Sequence, residues 1–458
     1  MKQSEIDDRQ PSANSAINKA AFGEDFIWGV STAAFQIEGA HDVAGKGVSI
    51  WDTFTSRKGK IKNEQEAKIA CDFYNRFKED IDLVKALNIP NFRFSIAWTR
   101  ILPNGTGQIN QAGIDYYLEL IDYCHELGIE PWVTLYHWDL PQTLEDKGGW
   151  TNRESIGWFV DYAAVCARYF SRVKHWIIAN EPAVFTGAGY FLGIHAPGRK
   201  GLRNFLPAVH HSILGIAEAA RALKKLSPDS LVGNTFSCSS IEPYSDNPRD
   251  IKAAKKVDVL YNRLFIEPLL GMYYPIADLK VLKKIEKYVL PGDREKLAFD
   301  FDFIGIQNYT REVVKYSLFM PYLNASIVEA QKRKVPFSTM GWEIYPEGIY
   351  KMIKKFNSYP QIKKLYITEN GAAFKDTVEE GRIHDDQRKT YLQNYISEIL
   401  KAKNEGLMID GYFVWTLTDN FEWAEGYHPR FGLVYIDFLT QKRITKDSAY
   451  WYADFLKG

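Results

Sequence analysis

Two glutamates in this chain close apolar runs inside short polar segments, Asn180-Glu181-Pro182 and Thr368-Glu369-Asn370-Gly371. Carboxyls held on opposite sides of a bond suit glycosidic cleavage. One protonates the leaving oxygen while the other attacks the anomeric carbon or activates water. The two tasks require different proton affinities: burial lifts the acid, and a neighbouring cation keeps its partner ionised. Arg93, which lies in another apolar run, is the candidate cation for Glu369. Each segment alone is a weak signal, because a glutamate at a strand end more often sits in a structural ion pair. The weight of the pair depends on the elements that carry it.

Those elements are legible as a rhythm. Short β-rich apolar runs alternate with polar segments of helical patterning. The runs are Phe26–Phe35, Asn91–Trp98, Pro131–Trp138, Lys174–Ala179, Leu231–Ser237, Asp302–Tyr309, Lys364–Thr368 and Gly411–Leu417. Between them, segments such as Ile81–Leu87, Ile114–Leu127 and Ile156–Phe170 repeat apolar residues at three and four. Alternating strand and helix predicts a parallel sheet. Eight such units without a Ser/Pro/Gly-rich linker predict an α/β fold of one domain, a (β/α)8 barrel over residues 21–458 with long βα loops. Residues 1–20 read as a polar N-terminal tail.

Polar and aromatic groups gather where the runs end: Gln36, Arg93, His137–Trp138, Asn180–Glu181, Tyr309, Glu369–Asn370, and Trp415 to Trp423. In a barrel these positions share the C-terminal mouth, where active sites are built. The fifth run, ending near Cys238 and Ser239, is the exception. Glu181 and Glu369 fall on the fourth and seventh runs, which makes them a pair. The stretches Arg311 to Gly341 and Thr418 to Phe431 exceed ordinary connections and are expected to wall the pocket beyond the first bound unit.

Bulk composition excludes several classes. Lys+Arg and Asp+Glu both number 57, so no net charge favours nucleic acid or anionic lipid. No uncharged apolar run reaches the roughly 18 residues of a membrane span. The segment Met1 to Ala20 lacks the apolar stretch of a signal peptide. Cys71, Cys124, Cys166 and Cys238 are too dispersed for a disulfide framework or zinc site, so reduced thiols and a cytoplasmic location are expected. No metal ligand cluster is spaced for use, and no cofactor is expected.

Long blocks carry a resemblance. FIWGVSTAAFQIEGA, NFRFSIAWTRILP, LYHWDLPQTLED, NEP, ITENGAA and WTLTDNFEWAEGYHPRFGLVYIDF occur in the order found in glycoside hydrolase family 1. The chain resembles that family of retaining β-glycosidases from about Phe22 to Phe455. The resemblance implies that Glu181 is the acid/base and Glu369 the nucleophile, with Arg93 and Tyr309 hydrogen-bonding Glu369. It implies that Asn180 meets the sugar 2-OH and that Gln36, His137, Glu422 and Trp423 hold the outer hydroxyls. Trp415 would underlie the ring, Phe431 would line the pocket near C6, and Trp342 would flank the aglycone.

Three positions depart from the family pattern: Ile178 replaces a usual Thr, Gln307 a usual Asn, and His41 a usual Trp. Thioglucosidases of the family carry Gln at the acid position and phospho-glycosidases replace the outer-hydroxyl Glu. With Glu181 and Glu422 intact, the expected substrate is an unphosphorylated O-glycoside. The expected reaction is release of terminal β-D-glucosyl residues, with β-galactosyl and β-fucosyl groups also fitting. Transglycosylation and a silent sugar-binding module are the alternatives.

Overall fold

The structure, a computed structural model, describes residues 17–458, so most of the expected tail lies outside the described residues. A 3-10 turn at Lys19–Phe22 opens the described chain, capped by Asn18, whose side chain accepts from Ala20 N at 2.8 Å. Phe22 is buried against Phe26 and Trp28.

Eight parallel strands close into a barrel. They are β1 (Ile27–Ser31), β2 (Asn91–Ser95), β3 (Glu130–Tyr136), β4 (His175–Asn180), β5 (Leu231–Ser237), β6 (Phe303–Gln307), β7 (Leu365–Asn370) and β8 (Gly411–Trp415). Each overlaps one of the eight apolar runs. Several runs outlast their strands because aromatic and apolar residues continue into the loops. Helices α1 (Phe73–Ala86), α2 (Gln111–Glu126), α3 (Ser155–Tyr169), α4 (Leu202–Leu226), α5 (Pro248–Asp258), α6 (Glu347–Phe356), α7 (Asp386–Asn404) and α8 (Asp447–Lys457) follow the strands in turn.

Alternation along each strand sorts side chains between two cores. Outward residues such as Val133, Ile178 and Ile367 join the large core shared with the helices. Inward residues near the strand starts form a separate plug of Trp132, Ile177, Phe303, Tyr366 and Phe413. The Trp132 ring meets Phe303, Tyr366 and Phe413 edge-on at 5.3, 5.1 and 5.0 Å. Rings of that size fill the lumen only if small residues face them. A β-carbon on Gly29 would lie 2.3 Å from the Phe413 ring, and one on Gly233 would lie 2.3 Å from Phe303. The lumen is thus sealed below, and space remains only at the C-terminal mouth.

Both long stretches fold into structure of their own. Arg311–Tyr316 pairs with Ser240–Pro243 and with Ala325–Ile327 in a three-stranded sheet beside the mouth. The stretch after β8 is pinned at Asp419. Its carboxylate accepts from Arg430 at 2.7 Å, from the Gly432 N–H at 2.9 Å and from the buried Lys446 at 2.7 Å. Lys446 also reaches Asp376 at 2.6 Å, and Arg388 donates to Asp376 at 3.0 Å and to the Arg430 carbonyl at 2.7 Å.

Candidate active site

The strands that carry the two glutamates are both irregular. Pairing of β4 with β5 shifts between Ile177 and Asn180, and pairing of β7 with both neighbours shifts after Ile367. On a regular strand, Thr368 and Glu369 would face opposite ways. Here Thr368 reaches across the lumen to Thr235, while Glu369 also turns inward to meet Arg93 and Tyr309. A bulge permits that arrangement by adding one residue to the strand. Glu181 follows β4 in left-handed conformation, at φ 45°. Such a backbone costs a non-glycine residue roughly 1 kcal/mol or more. Pro182 then opens the helix Pro182–Thr186, where a missing N–H costs nothing.

The two carboxyls are treated unequally. Tyr309 OH donates to Glu369 Oε2 at 2.6 Å, and Arg93 Nη1 donates to Oε1 at 2.5 Å. Burial lifts both carboxyls. Arg93 and the Tyr309 hydroxyl pull Glu369 back, whereas the charge of Glu369 pushes Glu181 further up. Glu181 therefore stands well above the usual carboxyl range, while Glu369, also raised on balance by burial, is held lower by its two donors. Ser237 beside Glu181 pulls in the opposite direction.

Arg93 also orders the groups around it, because a guanidinium only donates. Its Nη2 donates to Asn180 Oδ1 at 2.5 Å, which fixes the orientation of that amide. Gln307 donates from Nε2 to the same oxygen at 2.8 Å. The Asn180 Nδ2 then lies 3.0 Å from His137 Nε2, and Trp138 Nε1 donates to the Asn180 carbonyl at 2.9 Å. Gln307, one of the three departures from the family pattern, thus joins this network through its amide nitrogen.

A second polar group faces the same space. Gln36 Nε2 donates to Phe421 O at 3.0 Å and Asn420 Oδ1 at 3.1 Å, and lies 3.3 Å from Glu422 Oε2. Gln36 Oε1 is buried and has no partner among the described residues. Burial and the Glu369 charge push Glu422 up to about 8, against a hydrogen bond from Gln36. Trp423 packs against Trp138 at 4.5 Å and Trp51 at 4.6 Å, and Trp415 lies 6.0 Å from His137. Tyr309, Trp342 and Phe431 form an aromatic group, with Tyr309–Trp342 centroids 5.4 Å apart.

These residues surround one cavity of about 540 Å³ at the barrel mouth. It is lined directly by His137, Glu181, Tyr309, Trp342, Glu369, Trp415, Glu422, Trp423 and Phe431. Arg93, Asn180 and Gln36 stand behind, hydrogen-bonded to that lining. All twelve residues singled out from the sequence therefore converge. Ile178 faces the outer core instead, and His41 sits at a separate rim beside Asp42, at 3.4 Å. Sequence reasoning passed over Ser237, Cys238 and Ser239 at the end of β5, which also line the cavity, together with Val184, Ile194, Tyr261 and Glu312. The hydroxyls ending the fifth run were a weak signal for the first group. Nothing in spacing marked the rest. Among the described residues, no group of three or more His, Cys, Asp or Glu side chains is arranged to hold a metal. Nor is any helix among them long and apolar enough to cross a membrane.

A closed (β/α)8 barrel with paired glutamates at the ends of β4 and β7, in a cavity rich in aromatic and hydroxyl-binding groups, defines a glycoside hydrolase. Residues 18–458 match Glycosyl hydrolase family 1, and the chain belongs to that family. It is 44% identical over 445 residues to Beta-glucosidase A of Thermotoga maritima, covering 96% of this chain and 99% of the relative. It is 43% identical over 440 residues to a 1,4-beta-D-glucan glucohydrolase of Thermotoga neapolitana, covering 95% and 98%. A solved structure of the Thermotoga maritima beta-glucosidase in complex with deoxynojirimycin superposes with a TM-score of 0.91, at 44% identity, covering 95% of this chain and 98% of that one.

Proposed function

We propose that this enzyme is a β-glucosidase that releases terminal β-D-glucosyl residues from O-glycosides and short β-glucans by double displacement with retention. Glu181 serves as acid and then base, and Glu369 as nucleophile. The observation that carries this reading is the unequal solvation of the pair: two donors on Glu369, and burial beside a negative charge for Glu181. The charge on Glu369 holds the proton on Glu181 until the leaving oxygen takes it. Glycosylation of Glu369 neutralises that charge, which lowers the proton affinity of Glu181 and suits it to deprotonate water in the second step.

In this reading Asn180 meets the sugar 2-OH, and Gln36, His137, Glu422 and Trp423 hold the outer hydroxyls. Trp415 underlies the ring, Phe431 lines the C6 end, and Trp342 flanks the aglycone. β-Galactosyl and β-fucosyl groups fit as secondary substrates. The partner is a small-molecule glycoside, and the four buried free thiols support a cytoplasmic enzyme. Transglycosylation uses the same intermediate when an alcohol replaces water.

The test is the anomer first formed from a β-aryl glucoside, followed by proton NMR. Retention gives β-glucose, and α-glucose as the first product would overturn the mechanism. Glu369→Gly should abolish turnover and, with azide, yield the α-glucosyl azide. Glu181→Ala with azide should instead yield the β-azide.

A further inference from the structure

Besides the carboxyl pair, the cavity wall holds polar residues (Ser239, Thr310, Glu312) and apolar ones (Val184, Met340, Trp342), and the Arg311–Glu343 ion pair ties together the segments that carry Glu312 and Trp342. Glu312 is the second residue of Arg311–Tyr316, opposite Ile241 in the parallel pairing with Ser240–Pro243. Arg311, its predecessor, is fastened elsewhere: it donates to Glu242 at 2.8 Å and to both oxygens of Glu343 at 2.8 Å. Successive side chains of a strand take opposite faces. The ion pairs that hold Arg311 on one face therefore aim Glu312 into the cavity.

Arg333, the cation whose charge acts on Glu312, does not satisfy it. Arg333 pairs with Glu343 at 2.6 Å and donates to the Val328 carbonyl at 3.0 Å. Among the described residues, Glu312 makes no hydrogen bond and no ion pair. Burial pushes its carboxyl up to about 7, against the pull of Arg333. Glu312 is half-buried, and a partly desolvated acceptor without protein donors carries a cost that a ligand bringing donors lowers. Four further glutamates line the same cavity (Glu181, Glu369, Glu422 and Glu425), while no Lys or Arg does. The field in this region disfavours any anionic group.

We infer that Glu312 is a specificity determinant of the aglycone region, accepting hydrogen bonds from the hydroxyls of a second sugar unit and turning away anionic leaving groups. This rests on the β-glucosidase reading above. A sugar ring matches the region on both counts, with hydroxyls around its edge for Glu312 and apolar C–H faces for Trp342. A plain aryl group offers the faces without the donors. Because the glycosyl-enzyme no longer holds an aglycone, the residue acts in glycosylation and, by reversal, in capture of a sugar acceptor.

The experiment compares kcat/KM for a β-linked glucosyl disaccharide, 4-nitrophenyl β-glucoside and 4-carboxyphenyl β-glucoside in wild type, Glu312→Gln and Glu312→Leu. Glu312→Leu is expected to lower the disaccharide-to-nitrophenyl ratio about ten- to a hundredfold, the loss for one hydrogen bond to a charged acceptor. The isosteric Glu312→Gln guards against a folding artefact. It is expected to hold that ratio within about threefold, since its amide oxygen still accepts, and to raise relative turnover of the carboxyphenyl substrate. Transfer to added cellobiose should fall in Glu312→Leu in proportion to the disaccharide ratio. Wild-type turnover of the aryl glucoside with ratios unchanged across both variants would overturn the inference alone. Absence of turnover on every substrate would overturn the β-glucosidase reading with it.

Discussion

Replacing Tyr309 by Phe removes a single hydroxyl from the site. That hydroxyl donates to Glu369 Oε2 at 2.6 Å, while Arg93 keeps its hold on Oε1. A hydrogen bond to a charged acceptor contributes about 1.5–3 kcal/mol. At about 1.36 kcal/mol per pKa unit, its loss raises the proton affinity of Glu369 by roughly 1–2 pH units. On the proposed roles the reactive state of the free enzyme has Glu369 ionised and Glu181 protonated, so kcat/KM should be bell-shaped in pH. The acid limb follows entry of a proton onto the carboxylate pair and should move up by that amount in Tyr309→Phe. The alkaline limb follows loss of the Glu181 proton, which depends on burial and on the charge of Glu369. That charge is unchanged at high pH, so this limb should stay in place. The bell narrows from one side. The assay is kcat/KM for an activated aryl β-glucoside across pH, with protein integrity checked at each point. A fall in rate at every pH with both limbs fixed, or a parallel movement of both, would refute the assignment of Tyr309 and the unequal roles of the pair.

Glu422→Gln should stabilise the fold above neutral pH while weakening sugar binding. The folded carboxyl titrates at about 8 rather than 4.5, so the cost of its charge is absent below 4.5 and complete above about 8. The gain, on the order of 2 kcal/mol, should appear as a Tm difference that grows between those limits. Gln307→Leu removes the 2.8 Å donor to Asn180 Oδ1. It should cost glucosides about two- to tenfold in kcat/KM, and 2-deoxyglucosides less, because the loss passes through the 2-OH contact. Lys446→Met leaves Asp376 and Asp419 facing each other without their shared cation. A loss of roughly 3–5 kcal/mol is expected in urea unfolding, with Lys446→Arg recovering part of it.

The barrel and the convergence of the strand-end residues were legible because both follow from the alternation of strand and helix. Short β-rich apolar runs between helical segments marked each strand, and strand ends in a barrel converge whatever their separation in sequence. Glu181 and Glu369 needed only that rule to become a pair. The contact between Gln307 and Asn180 was hidden for the opposite reason. It spans the lumen between β6 and β4, and whether a side chain one methylene longer reaches depends on register across β5. Glu312 was hidden more deeply. Its direction is set by where Arg311 is anchored, and the anchors Glu242 and Glu343 lie on either side of Arg311 in sequence, 69 and 32 residues away. The positions of His41 and Ile178 could not be read from motif departures, since both face away from the cavity.

The charge inventory of the cavity reconciles its acidity with its ligand. Five glutamates line it, and Arg93 beneath engages only Glu369 among them. Five full charges in so small a space would repel one another and any anion. Burial instead leaves Glu181 protonated well above the usual range and brings Glu422 and Glu312 to about 8 and about 7. A polyol relieves this arrangement without adding charge, because each hydroxyl donated to Glu422 or Glu312 stabilises the ionised form that burial opposes. A phosphate would add charge where no cation lines the wall. On the proposed roles, the same desolvation that keeps a proton on Glu181 therefore favours neutral, hydroxyl-rich ligands at both ends of the pocket.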